Sequence, residues 1–293
     1  MTLRSSSLRA LQRTAIRVSC AAQRAPLSPH RLPSPPQPAC RRQRVSSAAM
    51  ANAAMANAAA APPAPRRLRL LCLHGYTQDG AVFRERTGAL RTTLSKAHGG
   101  VDMVYIDAPH VLTPADLFGE AMGPGDGRAR GWFTAGENAG VAEAEWVRPS
   151  LSKRARGADE SLAYLRKHLD EHGPYDGLLA FSQGAAMAAI LLASEPTRFR
   201  FAVLCAGFLA SDPALAAVVQ GAAPLPHAVL SCSGEADALV PTERVRTLAA
   251  CFPDAASVFF AHPGGHHVPG NAAFRNAVKD FVAPFAEAAA QGQ

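Results

Sequence analysis

The sequence predicts an α/β fold with a mostly parallel central sheet and helices on both faces. Short apolar segments alternate with segments of helical character from residue 68 onward, which is the rhythm of strands joined by helical crossovers. One serine stands between small residues at a strand-to-helix junction, and polar loops follow several other predicted strands. Because parallel strands end at the same edge of a sheet, we expect these polar residues to meet there.

Six short apolar runs define the predicted sheet. They are Leu68–Leu73, Val101–Ile106, Leu178–Phe181, Phe201–Cys205, Ala228–Cys232 and Ser257–Ala261. The segments between them predict helices at Ala81–Ala97, at 157 to about 172, at Ala185–Leu192, near Pro241–Cys251 and at Asn271–Ala290. From His110 to about Ser150 the chain contains many Gly and Pro residues, which predicts a long loop.

Residues 1–65 differ in composition from the rest of the chain. They contain nine arginines but no lysine, aspartate or glutamate, and they are rich in Ser, Ala and Pro. Subtracting nine from the formal net charge of +7 leaves −2 for residues 66–293. The domain is therefore close to neutral, and we expect no nucleic-acid partner.

An arginine- and serine-rich N-terminus without acidic residues is typical of an organellar transit peptide. The segment Val18–Ala21 resembles a plastid processing site, so we expect the plastid ahead of the mitochondrion. One alternative is a disordered basic tail. Another is translation from Met50 or Met55, which predicts a cytoplasmic protein.

Residues 66–293 are enough for one domain with a single hydrophobic core. This part of the chain has no uninterrupted apolar run long enough to span a bilayer. Its four cysteines, Cys72, Cys205, Cys232 and Cys251, lack the paired spacing of metal sites, and the first three lie in predicted strands. We expect neither a disulfide framework nor a transmembrane segment.

Ser182 lies between the predicted strand Leu178–Phe181 and the helix that follows it. Ala180 and Gly184 stand two positions away on either side, and small residues there allow the tight turn of a nucleophile elbow. In that turn the serine hydroxyl projects out of the backbone between the strand and the helix. The alternative is a serine whose side chain caps the helix N-terminus.

The loop His74–Gly80 follows the first predicted strand and predicts part of an oxyanion hole. A His-Gly loop at this place supplies one backbone N–H in hydrolytic α/β enzymes, and the residue after the nucleophile supplies the other. We assign the two donors to the N–H groups of Tyr76 and Gln183. His74 itself is expected to be a structural residue that tethers the loop.

Asp237 follows the predicted strand Ala228–Cys232 and is the preferred acid. A carboxylate in this loop can accept the Nδ1–H of a histidine and hold the ring in the tautomer that takes a proton from serine. Glu235 is the competing candidate. Alternatively, either carboxylate caps the helix that starts near Pro241.

Three histidines, His262, His266 and His267, follow the last predicted strand. Pro263 and two glycines exclude the helix that would bring metal ligands at i and i+4 together, so a general base fits better than a metal site. His266 is the first choice and His267 the second. The chain order of serine, aspartate and histidine is that of the α/β-hydrolases.

Several motifs together resemble the serine hydrolase FSH family, which includes the ovarian cancer-associated protein 2 esterases. They are Gly-Pro-Tyr-Asp-Gly-Leu-Leu-Ala-Phe-Ser-Gln-Gly-Ala, Leu-His-Gly-Tyr, Asp-Ala-Pro-His, Gly-Glu-Ala-Asp and His-Pro-Gly-Gly-His-His-Val-Pro, within about residues 66–285. The resemblance implies an α/β-hydrolase fold, a triad of Ser182, Asp237 and His266, and hydrolysis of carboxylic esters, with some members acting on thioesters. Ala180 departs from the glycine that is more usual in the family, and we expect it to crowd the elbow slightly. Acyl-protein thioesterases share Phe-Ser-Gln-Gly but lack the histidine-loop motif, which makes them the second choice.

Substrate specificity is expected to come from the segment between His110 and Ser150. Its aromatic residues Phe118, Trp132 and Phe133 are predicted to line a pocket for an apolar acyl or alkyl chain of medium to long length. The alternative is that they anchor the loop to the core.

The predicted substrate is a small-molecule ester or thioester, and acyl transfer through a serine needs neither a cofactor nor a metal. A different class of function is a ligand receptor of the same fold with little turnover, since fold alone does not establish activity.

Overall fold

The structure, a computed structural model, describes residues 66–117, 129–138, 140 and 142–291. The strands are β1 (Leu68–Leu73), β2 (Val101–Ile106), β3 (His110–Val111), β4 (Arg130–Gly131), β5 (Thr134–Ala135), β6 (Ala155–Arg156), β7 (Gly177–Phe181), β8 (Phe201–Cys205), β9 (Ala228–Gly234) and β10 (Ser257–His262). The helices are α1 (Gly80–Arg86), α2 (Gly88–Lys96), α3 (Ala158–His172), α4 (Gln183–Ser194), α5 (Pro213–Gly221), α6 (Thr242–Ala249) and α7 (Ala272–Ala290).

The central sheet has six strands in the order β10-β9-β8-β7-β1-β2, and every neighbouring pair is parallel. From β1 the chain first adds β2 on one side, and it later adds β7 to β10 on the other. The strand order therefore reverses between β1 and β7. Ligands in open α/β sheets bind at the carboxyl ends of the strands where this reversal occurs, so the loops after β1 and β7 are placed to form a site.

The centre of the sheet is covered by helices on both faces. Every residue of β7 and β8 is buried, as expected for strands with apolar neighbours above and below. Helix α4 is buried from Gln183 to Leu192, because it packs on the sheet and is itself flanked by α3 and α5. The cysteines of β1, β8 and β9 are free and lie within this core, as the sequence predicts.

The strands of this sheet match the sequence predictions to within two residues at each end. The predicted helix Ala81–Ala97 is instead two helices that meet at Thr87. The Thr87 hydroxyl hydrogen-bonds the Phe83 carbonyl and the Tyr105 hydroxyl, each at 2.7 Å, and its backbone leaves the helical conformation. A buried side chain that bonds its own helix and a neighbouring strand thus ends α1, and Gly88 follows it as the first residue of α2.

Helix α5 was not predicted from the sequence, although its start carries a clear signal. Asp212 caps the helix by accepting the N–H groups of Ala214 and Leu215, and Pro213 occupies the first helical position. The described residues after His110 also contain more regular structure than predicted, because β3 pairs with β4 and β5 pairs with β6.

The transit peptide, the plastid location and the domain boundary at residue 65 concern a segment outside the described residues, and they stay predictions. Within the described part of the chain, no helix has both the length and the hydropathy needed to cross a membrane.

A buried carboxylate joins the amino ends of β1 and β7. Asp176, only 2% exposed, receives two hydrogen bonds of 2.7 Å from the Arg66 guanidinium and one of 2.8 Å from the Arg69 N–H. The hydrogen bonds to the Asp176 carboxylate raise the pKa of Arg66, against the opposing effect of burial. The pair therefore fixes the register of the two central strands at the end opposite the predicted site.

We expect Arg66→Gln to lower the free energy of unfolding by about 1–3 kcal/mol, because it leaves the buried Asp176 carboxylate without its charged donors. Urea denaturation at neutral pH measures this change. The matched control is Arg67→Gln, since Arg67 is exposed and lies 3.9 Å from the exposed Asp102. Equal stability of both variants would show that the buried pair contributes nothing.

Candidate active site

Ser182 forms the turn between β7 and α4 and has a backbone conformation that non-glycine residues rarely adopt. Its φ is 53° and its ψ is −118°. Such a conformation costs about 1–3 kcal/mol and persists only where the surrounding structure enforces it, typically at functional sites. The side chain makes no capping hydrogen bond to α4, so the alternative role as a helix cap is wrong.

The elbow is tight because α4 starts directly against the end of β1. A Cβ atom on Gly184 would lie 2.4 Å from the carbonyl oxygens of both Leu73 and His74. This contact is too short for any side chain, so only glycine fits at this position. Ser182 donates its backbone N–H to the Cys205 carbonyl at the end of β8. Strands on both sides of β7 thus hold the turn in place.

Three side chains from different loops form a hydrogen-bonded chain. The Oγ atom of Ser182 lies 2.9 Å from Nε2 of His266, and Nδ1 of His266 lies 2.7 Å from Oδ2 of Asp237. Because a carboxylate only accepts, Nδ1 carries the proton and Nε2 accepts from the serine hydroxyl. The geometry is that of a nucleophile, a base and an orienting acid.

Asp237 is held as a charged group inside the protein. Its side chain has no exposed surface, and its other oxygen accepts the N–H groups of Leu239 and Val240, each at 2.9 Å. Burial acts to raise the pKa of Asp237, but the hydrogen bonds from His266, Val240 and Leu239 outweigh it and lower the pKa. Its carboxylate therefore stays ionised and orients the imidazole.

The loops that carry Asp237 and His266 are bonded to each other through their backbones. Glu235 donates its N–H to the His262 carbonyl at 2.8 Å, and Ala236 donates to the Gly264 carbonyl at 3.2 Å. Gly234 makes this contact possible, because a Cβ there would lie 2.5 Å from the carbonyl oxygens of residues 264 and 265. The distance between acid and base is thus set by backbone contacts.

The competing candidates point elsewhere. Glu235 is exposed, and His267 contacts His262 with their ring centroids 4.9 Å apart. Asp237 does not cap α6, because Pro241 occupies the cap position and the Asp237 oxygen binds the preceding turn. Among the residues that the structure describes, no three His, Cys, Asp or Glu side chains come together as a group able to hold a metal.

Gln183 and Tyr76, the predicted oxyanion donors, both stand at the reversal point of the sheet. Gln183 is the first residue of α4, so its N–H has no acceptor within the helix. Its side-chain amide is used elsewhere: Oε1 accepts the Trp132 N–H and Nε2 donates to the Phe133 carbonyl, each at 2.7 Å. The Tyr76 hydroxyl donates to the Asp116 carbonyl at 2.7 Å.

His74 anchors the loop after β1, in agreement with its predicted structural role. It is fully buried; Nε2 accepts the Ala108 N–H at 2.9 Å, so Nδ1 carries the proton and donates to the Gly75 carbonyl at 2.7 Å. Burial lowers the pKa of His74 from 6.5 to about 4, against the opposing effect of the bond to Gly75. The ring is therefore neutral at physiological pH.

Trp132 and Phe133 are buried, at 0% and 1% exposure. The Trp132 indole N–H donates to the His74 carbonyl at 2.9 Å, and the Trp132 carbonyl accepts the Ser161 hydroxyl at 2.5 Å. These contacts agree with the alternative that the two residues anchor the loop, and their contact with a substrate stays a prediction. Phe118, the third predicted pocket residue, lies outside the described residues.

A groove beside His266 was not recognised from the sequence, and we name it the Phe181 groove. It encloses about 290 Å³. Its residues come from α1, from the end of β7 and from the histidine loop, so no sequence spacing connects them. They are Phe83, Arg86, Phe181, His267 and Val268.

The chain matches the protein-family model described as serine hydrolase (FSH1) over residues 64–278. It is 36% identical to the Danio rerio protein named esterase OVCA2 over 232 residues, which cover 74% of this chain and 97% of that protein. It is also 36% identical to the Homo sapiens esterase OVCA2 over 236 residues, with coverages of 76% and 99%.

Solved structures show the same fold. The crystal structure of Arabidopsis thaliana SOBER1 superposes with a TM-score of 0.52 at 16% identity, covering 75% of this chain and 99% of that one. The crystal structure of esterase PE8 superposes with a TM-score of 0.50 at 20% identity, covering 76% and 95%. At these identities the likeness establishes the α/β-hydrolase architecture alone.

The buried neutral state of His74 predicts a specific pH dependence of stability. Its pKa is lowered in the folded protein, so the unfolded chain binds a proton first as the pH falls below 6.5. The stabilisation is complete above pH 6.5 and is lost as the pH falls towards 4. Between pH 7 and pH 5 this loss amounts to ~2 kcal/mol.

The unfolding free energy of the wild-type protein should fall between pH 7 and pH 5. We expect this fall to be smaller by ~2 kcal/mol in His74→Gln, which lacks the buried imidazole. Urea denaturation at the two pH values gives the difference for each protein. The control is His98→Gln, which alters an exposed histidine and should leave the wild-type pH dependence unchanged. An unchanged pH dependence in His74→Gln would contradict the assignment.

Proposed function

This chain belongs to the serine hydrolase (FSH1) family and is a carboxylic ester hydrolase, and we propose that Ser182, His266 and Asp237 form its catalytic triad. One observation carries the proposal: the strained elbow serine, the imidazole and the buried carboxylate are joined by hydrogen bonds of 2.9 Å and 2.7 Å. A serine that only capped the N-terminus of α4 would need neither the strain nor the partners.

The proposed reaction proceeds in two steps through an acyl-enzyme. The Ser182 oxygen attacks the ester carbonyl while its proton passes to Nε2 of His266. The resulting imidazolium is stabilised by the Asp237 carboxylate and gives its proton to the departing alcohol oxygen. Water then enters, loses a proton to His266 and attacks the acyl group. His266 gives that proton to the Ser182 oxygen as its bond to the acyl carbon breaks, which releases the carboxylic acid and restores the serine hydroxyl.

The negative charge on the tetrahedral intermediate is proposed to be stabilised by the N–H groups of Gln183 and Tyr76. The position of the Gln183 N–H at the start of α4 supports this, since helix N-termini favour anions. The hydrogen bonds of the Gln183 side chain to the backbone of Trp132 and Phe133 support it further, because they fix the residue that presents the N–H.

The proposed substrates are esters with an apolar acyl or alkyl chain of medium to long length. The aromatic and aliphatic side chains of the Phe181 groove support this, because Phe83, Phe181 and Val268 offer an apolar surface beside His266. Burial of each additional methylene group there contributes up to ~0.8 kcal/mol.

We expect Ser182→Ala to abolish labelling by a fluorophosphonate probe and to lower kcat for p-nitrophenyl esters by at least about 10³-fold, because it removes the nucleophile. In-gel fluorescence and steady-state kinetics measure the two effects. Ser257→Ala is the control, since Ser257 starts β10 at the opposite end of the sheet and binds the Pro253 carbonyl. Persistent labelling of Ser182→Ala would reject Ser182, and rapid labelling with negligible turnover of every ester would favour a receptor.

For p-nitrophenyl esters from acetate to dodecanoate, we expect kcat/KM to rise by about tenfold or more from acetate to octanoate, because a longer chain buries more apolar surface. Thioesters of the same acids test whether kcat/KM depends on an oxygen or a sulfur leaving group. Highest activity on acetate would contradict the proposed chain length, and a large preference for the thioesters would favour the thioesterase alternative.

A further inference from the structure

The Phe181 groove reaches the proposed triad through aromatic contacts. The ring of Phe181 lies 4.8 Å from that of His266 and 6.5 Å from that of Phe83. Phe181 immediately precedes Ser182, and the two other apolar contributors belong to α1 and to the histidine loop. A chain attached to the reacting ester can therefore extend from the base across Phe181 towards α1.

Arg86 stands at the α1 end of this groove. It follows Phe83 by three residues, so both side chains lie on the same face of the helix. Its guanidinium is exposed at the rim while the Phe83 ring is buried below it. The groove is therefore lined by Phe181, Val268 and His267 near the reacting centre and carries the positive charge of Arg86 at its α1 end.

Nothing in the described part of the chain neutralises this charge. Arg66, Arg166 and Arg198 each pair with a carboxylate, whereas no carboxylate of the described residues pairs with Arg86. Arginines are favourable in the last turn of a helix, where the helix dipole is negative. This does not explain why Arg86 lines the groove, because Arg84 is in the same turn and does not line it.

We propose that Arg86 is a specificity-determining residue that binds a carboxylate at the far end of the ester's chain. This inference rests on the proposed function of Ser182 and names the substrate class more closely. A guanidinium binds a carboxylate through two parallel hydrogen bonds, and apolar walls beside it strengthen the attraction. A single positive charge matches a monoanion, which favours a carboxylate over a dianionic phosphate.

Because Arg86 lies at the α1 end of the groove, away from His266, the effect depends on chain length. A carboxylate on a chain that is too short remains beside His266 and cannot reach Arg86, so it gains nothing. A chain that spans the groove places its carboxylate on the guanidinium while its methylene groups lie along the apolar side chains of the groove. The preference for the acid-ended ester should therefore peak at one length.

The test compares pairs of esters that differ only in whether the chain ends in a carboxylate or a methyl group. One arm uses mono-p-nitrophenyl esters of linear diacids, which carry the carboxylate on the acyl side. The other uses acetate esters of linear ω-hydroxy acids, which carry it on the alcohol side. Wild-type protein, Arg86→Gln, Arg86→Lys and the control Arg84→Gln are assayed on both.

In whichever of the two arms the chain enters the groove, we expect Arg86→Gln to lower kcat/KM for the acid-ended ester of best length by about tenfold through KM, and to change kcat/KM for its neutral partner far less. Arg86→Lys should retain part of the preference, because it keeps the charge but not the paired donors. Arg84→Gln should match wild type. Added salt should weaken the preference of the wild-type protein.

The inference fails if Arg86→Gln changes acid-ended and neutral esters equally, or if Arg84→Gln has the same effect. In either case, Ser182-dependent hydrolysis of the neutral esters would leave the proposed function intact. Absence of Ser182-dependent hydrolysis for every ester would overturn the proposed function itself, and this inference with it.

Discussion

The close contact between the first turn of α4 and the end of β1 constrains the rest of the site. Gly184 lies so near the carbonyl oxygens of Leu73 and His74 that no side chain fits between them. The helix must therefore start immediately after β7, and the one intervening residue, Ser182, takes up a strained conformation with φ at 53°. The close packing of α4 on β1 imposes this strain on Ser182, and the stability of the buried core compensates for its cost.

Beside this contact, hydrogen bonds join the loop after β1, the segment around Trp132 and the start of α4. His74 holds the loop after β1, its carbonyl accepts the Trp132 indole, and the backbone of Trp132 and Phe133 binds the Gln183 side chain. Each of these polar groups is buried, so leaving one unpaired would cost about 1–3 kcal/mol. The positions of the two proposed oxyanion donors thus depend on side chains that take no part in the chemistry.

On the other side of Ser182, backbone contacts replace side-chain contacts. The loops after β9 and β10 bond to each other through Glu235 and Ala236, and Gly234 lets them approach. Asp237 and His266 are therefore aligned before any substrate arrives. The Phe181 groove opens between this half of the site and α1, where the apolar surface near His266 changes to the positive charge of Arg86.

The sequence by itself determined the fold class, the six central strands and the loops that carry the residues of the proposed triad. Apolar runs specify buried strands, and because parallel strands end at one edge, the loops that follow them have to meet. The small residues around Ser182 and the glycines of the histidine loop indicated tight turns because few other residues fit them. The start of α5 was equally visible at Asp212-Pro213 and was missed.

Only the tertiary structure decided between candidates of the same chemical type. His266 and His267 are neighbours in sequence, and a turn of the loop directs the first to Ser182 and the second to the groove. Thr87 divides one periodic segment into two helices through a bond to Tyr105 in β2. Arg84 and Arg86 both belong to the last turn of α1, but the packing of α1 on the sheet places Arg86, and not Arg84, in the Phe181 groove. Such choices depend on contacts between residues far apart in the chain, and local sequence patterns do not encode them.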